Sequence, residues 1–123
     1  MKFVIYGRLD GLNALIGANR SHWARGAKIK QVNDRLVQDA VIADLRGWRT
    51  VRPIRIHIDW YEPNVKRDPD NVFSAVKFIL DGMVEMGTIP DDGQKYIKGI
   101  SHELHLDRKN PRVEVTIEEA DDE

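Results

Sequence analysis

The chain is 123 residues long, 41% hydrophobic and 32% charged, with a formal net charge of −1 and no cysteine. That length suits one compact domain with a real core and is too short for two independent ones. The composition argues against a disordered or membrane-embedded chain, and the lack of cysteine removes disulfides, thiolate nucleophiles and cysteine-held zinc together, as expected of a cytoplasmic protein.

Charge divides along the chain. Residues 1–57 hold eleven Lys/Arg against four Asp/Glu, whereas residues 58–123 hold eight against sixteen. A basic first half suits an anionic polymer, and an acidic second half suits cations. Several acids crowd the final EEADDE, so residues 1–119 are expected to form the domain and 120–123 an acidic, frayed tail.

In chain order, Lys2 to Leu9 alternates like a half-buried strand, and the short apolar run of KFVIYGRLDG is neither a signal peptide nor a spanning helix. Asp10 to Asn19, rich in glycine, alanine and asparagine, reads as a loop. From about residue 22, Ile29, Val32, Leu36, Val37, Val41 and Leu45 recur at helical spacing, and Gly47 is placed to end that helix. Residues 51–61 alternate as a strand, with Pro53 at its beginning and Pro63 after it. Val72, Phe73, Val76, Ile79, Leu80 and Met83 form the apolar stripe of a second helix ending near Gly87. Two further alternating runs, 96–106 and 112–118, are joined by a stretch whose length and composition predict a hairpin. The order β-α-β-α-β-β predicts an α+β single domain, a mixed four-stranded sheet with two long helices packed against it.

The chemistry concentrates in KRDPDNVFSAVKFILDGMVEMGTIPDDGQKYI, residues 66–97. Asp68 is a preferred helix N-cap, Pro69 fits the first helical position and Asp70 complements the helix dipole, so these residues have a purely local explanation. Lys77 and Asp81, four apart, also read as an ordinary exposed ion pair. Capping has no use for the Asp91-Asp92 pair that follows. Phosphodiester hydrolysis needs a cation held by hard oxygen ligands, and carboxylates gathered at a helix start, where ionisation is favoured, suit that role.

In the order Asp68-Pro-Asp70-Asn71, Lys77, Asp81, Gly87, Asp91-Asp92, the segment resembles the RusA family of Holliday junction resolvases, endodeoxyribonucleases of bacteria and prophages. Leu-Asp-Gly-Leu-Asn13, Ala18-Asn-Arg20 and Gly26-Ala-Lys28-Ile-Lys30 resemble the loop and basic helix start of its Gram-positive and phage branch. The resemblance implies a Mg²⁺-dependent, or Mn²⁺-dependent, homodimeric enzyme that cuts four-way junctions during recombination and repair. It further implies Asp68, Asp70 and Asp92 as metal-holding catalytic acids and Lys77 as the catalytic lysine. Asn13, Arg20, Arg25, Lys28 and Lys30 would contact DNA. Against the family's shorter form, the helix carries about one extra turn, about 3.6 residues, so Ser74 stands where a count from Asp70 would put the lysine.

The competing expectation is a non-catalytic branched-DNA or duplex-binding protein that uses the same basic residues while the acids serve as caps and turns. Trp23, beside His22, fits either a nucleic-acid contact or the first core residue of the long helix. His102 and His105, three apart on a strand, point to opposite faces and are expected to be ordinary strand residues rather than zinc ligands.

Overall fold

The computed structural model describes residues 1–121; Asp122 and Glu123, the end of the expected acidic tail, lie outside the described residues. Eight elements follow one another: β1 (Lys2–Tyr6), α1 (Leu12–Ser21), α2 (Trp23–Leu45), β2 (Ile54–Glu62), α3 (Pro69–Phe73), α4 (Val76–Glu85), β3 (Ile97–Leu106) and β4 (Arg112–Glu119). The four strands form one mixed sheet in the order β1-β4-β2-β3, so the chain is α+β as its patterning predicts. No helix among the described residues is long and apolar enough to cross a membrane.

Strict alternation assigns the two faces of the sheet. Phe3 and Ile5, Ile54 to Trp60 at every second position, and Val113, Val115 and Ile117 are buried in one cluster with Val37, Val41, Leu45, Phe78, Ile79 and Met83 of α2 and α4. The intervening positions, among them Tyr6, Arg55, His57, Asp59, Tyr61, Glu103 and His105, lie on the opposite face and keep solvent access. α2 and α4 approach closely at Gly82, where a Cβ would collide with the Val37 side chain. α2 ends as predicted, with Arg46 and Gly47 both at positive φ (51° and 83°).

The structure corrects four expectations. Residues 12–21 form α1 instead of a loop; Leu12, Leu15 and Ile16 stand at helical spacing in it, but it buries no residue, and the glycines, alanines and asparagines among them favour a loop reading. The second long helix is two, because the chain turns at Ser74 and Ala75, where bonds to Asp70, Val72 and Ser74 carbonyls replace a continuous helical ladder. The expected hairpin is absent: β3 pairs in parallel with β2 on one side, while β4 pairs antiparallel with β2 on the other. Residues 107–111 pass the end of β2, with the Asp107 N–H donating to the Glu62 carbonyl. Crossing one intervening strand, about 10 Å at 4.7–4.9 Å per strand, needs no more chain than a loose hairpin turn. Ala120 is not frayed; it is buried and donates its N–H to the Pro53 carbonyl.

Candidate metal and nucleic-acid site

The acidic segment begins on a rigid anchor at the end of β2. Glu62, 7% exposed, accepts from Arg67 through both carboxylate oxygens (2.8 and 2.8 Å) and from Arg8 (2.9 Å), while Arg67 also donates to the Leu9 carbonyl (2.9 Å). One carboxylate shared by two guanidiniums ties the end of β1, the end of β2 and the residue before Asp68 together. Pro69 then opens α3, and the Asp68 carbonyl accepts the first turn's hydrogen bond from Val72 (3.1 Å).

The Asp68 side chain makes no capping hydrogen bond, so its local explanation is realised by the backbone alone. Asp68 and Asp70 are both exposed, and among the described residues neither joins an ion pair. Asn71 has a different task. Its Oδ1 accepts from the Asn13 N–H (3.0 Å), and Ser74 Oγ accepts from the Leu12 N–H (2.8 Å) while donating to the Asn71 carbonyl (2.6 Å). α1 starts at Gly11, which has no side chain, so α3 and the turn after it supply its cap. A Cβ at Gly11 would strike Asn71, which is why that approach takes glycine.

α4 then presents Lys77 and Asp81, paired at 3.1 Å one turn apart. The hydrogen bond to Asp81 holds the Lys77 ammonium above its ordinary pKa, and the more distant Asp92 and Asp34 act in the same direction. Lys77, Asp81, Glu85 and Asp92 line one recess of about 320 Å³ together with Lys30 from α2. Lys77 therefore lies beside Asp92 despite the extra turn, whereas Ser74 is committed to α1. An adjoining recess of about 220 Å³, floored by Phe78 and Leu15, shares Lys30, Lys77 and Asp81 and reaches Gly11 and Leu12.

Two residues that patterning did not single out belong to this region. Asp34 on α2 has a buried Oδ1 without a partner, and desolvation, then Glu85, raises its carboxyl above the usual range. Glu85 on α4 accepts a short hydrogen bond from Gln38 Nε2. Only the packing of α2 on α4 brings them together, so no spacing in the chain could have announced them.

The expected DNA contacts map to α1 and the first half of α2. Asn13, Arg20, Arg25, Lys28 and Lys30 are all exposed. Arg25 and Lys28 line an open groove of about 580 Å³ between the two helices. Lys28 and Lys30 line a second groove of about 790 Å³ that runs past Trp23, Asp34 and Glu85. Lys30 is thus common to the basic surface and the Lys77 recess. Trp23 is 76% exposed, which rules out its role as a core residue, and His22 caps α2 by accepting from the Ala24 N–H (3.1 Å).

Asp68, Asp70 and Asp92 do not form a closed cluster. Among the described residues, the one group of three or more metal-ligating side chains whose ligand atoms lie within 4.8 Å of one another is His57, Asp59 and Glu103, on the uncovered sheet face. No protein-family model matches the chain, and no curated protein matches it.

Proposed function

We propose that the chain is a Mg²⁺-dependent or Mn²⁺-dependent endodeoxyribonuclease that cleaves Holliday junctions or related branched DNA during recombination and repair, as the RusA-like order of its motifs implies. It would work in the cytoplasm as a homodimer, for the host or a resident prophage. Two-fold symmetry in the enzyme would match the two opposed cuts that a four-way junction requires.

The observation that carries this reading is the recess that unites Lys77, Asp81 and Asp92 with Lys30 of the basic surface. A chain that must neutralise one phosphate while others are gripped by cations needs that adjacency. The donor chemistry fits the ion: Asp68 and Asp70 are exposed hard-oxygen ligands outside any ion pair among the described residues, at the start of α3. A bound divalent ion supplies charge relief on the phosphoryl oxygens and a more acidic water. Asp68, Asp70 and Asp92 would hold that ion once brought together on it, and Lys77, steadied by Asp81, would offset charge on the departing 3′ oxygen. Asn13, Arg20, Arg25, Lys28 and Lys30 contact the DNA backbone.

One observation favours the non-catalytic alternative, in which the chain only binds branched or duplex DNA: the three acids are not drawn into one close group. Cleavage of a synthetic four-way junction separates the two readings, run beside matched duplex and flap substrates with Mg²⁺ and with chelator. Metal-dependent nicking lost in Asp70→Asn, with junction binding retained, is the expected result. Wild-type protein that binds the junction but does not cut it in Mg²⁺ or Mn²⁺ would sink the enzyme reading, and an Asp70→Asn protein that cuts as fast as wild type would remove Asp70 from the site.

A further inference from the structure

The uncovered face of the sheet carries chemistry that the nuclease reading does not use. β2 and β3 run parallel with His57 beside Ser101, Asp59 beside Glu103 and Tyr61 beside His105. Alternation sends all six side chains to the same face. Asp59 Oδ1 is approached by both imidazoles, His57 Nε2 at 3.2 Å and His105 Nε2 at 2.8 Å, and His105 Nε2 lies 3.7 Å from Glu103 Oε2. Four-coordinate zinc with bonds of about 2.0–2.1 Å has ligand atoms about 3.3 Å apart along its tetrahedral edges. The three spacings bracket that value.

Both rings are also held from behind. His57 Nδ1 is hydrogen-bonded to Ser101 Oγ (2.6 Å), which leaves Nε2 to face Asp59. His105 is stacked on Tyr61 with centroids 4.4 Å apart, and the Arg112 guanidinium lies 3.7 Å from the Tyr61 ring centroid. Such outer contacts set the tautomer and ring orientation of metal-binding histidines.

A second, independent feature calls for a cation. Asp59 stands in register between Glu114 on β4 and Glu103 on β3, so three carboxylates form a row across the sheet. Like charges directly opposite one another destabilise a strand pair. Glu114 is matched by Lys2 and Arg112, but among the described residues Glu103 has only His105 as an ion-pair partner.

We propose that this face binds one divalent transition-metal ion of the zinc class, with His57, Asp59, Glu103 and His105 as its ligands. Two imidazoles and two carboxylates are the donors such an ion prefers, whereas Mg²⁺ and Ca²⁺ take oxygen alone. Binding exchanges the Nε2 to Oδ1 hydrogen bonds for coordinate bonds: the proton that each Nε2 donates to Asp59 is released to solvent from an imidazolium or, in a neutral ring, gives way to one on Nδ1, which for His57 faces Ser101. The ion clasps β3, the outer strand, to β2, and it is separate from the Asp68, Asp70 and Asp92 set.

The test is equilibrium dialysis of the tag-free, chelator-stripped chain against Zn²⁺, with thermal melting and zinc X-ray absorption of the loaded wild type. One Zn²⁺ per chain, a raised melting temperature and two imidazole ligands in the absorption spectrum are expected. The double variant His57→Ala, His105→Ala should lose at least tenfold in affinity, Glu103→Gln should lose less, and Asp70→Asn should bind as wild type does. Fewer than two imidazoles overturns the proposal whether or not the variants fold, since that spectrum is read on the wild type. Zn²⁺ uptake abolished by Asp70→Asn, or no uptake by wild type, overturns it as well.

Discussion

The bare sheet face and the α3–α4 side treat acidic residues in opposite ways. On the sheet, Glu114 is held by Lys2 and Arg112, and Asp59 by two histidines, and these partners pull both carboxyls below their ordinary pKa range. On the helical side, Asp34 has an orphaned buried oxygen and a raised pKa, while Asp68 and Asp70 stand exposed and outside any ion pair among the described residues. Glu62 marks the border: it is buried and fully engaged, six residues before the exposed Asp68. Acids that hold strands in register are neutralised, and acids left over gather around Lys77 and the start of α3. Charge that folding leaves uncompensated is available to a ligand.

Four substitutions test that contrast, beginning with the largest effect. Glu62→Ala strands two guanidiniums in a largely buried site, and urea denaturation should show a loss of about 3–5 kcal/mol, as for other buried pairs broken on one side. A loss under about 1 kcal/mol, within the range of an exposed pair, would erase the border between the two regions. Asp70→Asn should cost little stability but slow metal-dependent junction cleavage by about 10²–10³-fold, the scale seen when one preorganised charge-stabilising group is removed.

The last two have opposite signs in pH. Lys2, then Arg112, depresses the Glu114 carboxyl below its ordinary value of 4.5, so its contribution is present above that value and fades as pH falls through the lower folded one. Glu114→Gln should therefore lower the melting temperature at pH 7 and flatten its decline on acidification. Burial, then Glu85, raises Asp34 above its ordinary value of 3.8, so its charged form costs stability at neutral pH, and the cost is relieved as pH falls through the raised folded value. Asp34→Asn should modestly raise the melting temperature at pH 7, with the gain vanishing near pH 4. If both variants shift in the same direction at pH 7, the two regions do not differ in the way described.

Patterning along the chain disclosed what depends on local periodicity. β1, β2, β4 and the long α2 were readable because their buried residues recur at period two or 3.6. α1 was hidden because its stability comes from elsewhere, from Asn71 and Ser74 sixty residues away in the chain. The break between α3 and α4 was masked by an apolar stripe that runs through it from Val72 to Met83. At the candidate site, Lys77 and Asp92 come together despite an altered count, whereas Asp34 and Glu85 become visible only once two helices are packed. His105 bonds to Asp59 and stacks on Tyr61, neighbours that lie across a parallel pairing no local spacing encodes.

The borrowed cap of α1 has a mechanical meaning. Because α1 begins on the side chains of Asn71 and Ser74, the helix that presents Asn13 and Arg20 is tied to α3, which carries Asp70, and to the turn that follows it. The exposed cations of α1 and the exposed acids of α3 are therefore placed relative to one another by that shared cap. A changed loop length between Gly7 and Gly11 would disturb the buried Leu9 and the Asp10–Asn33 bonds together with this cap.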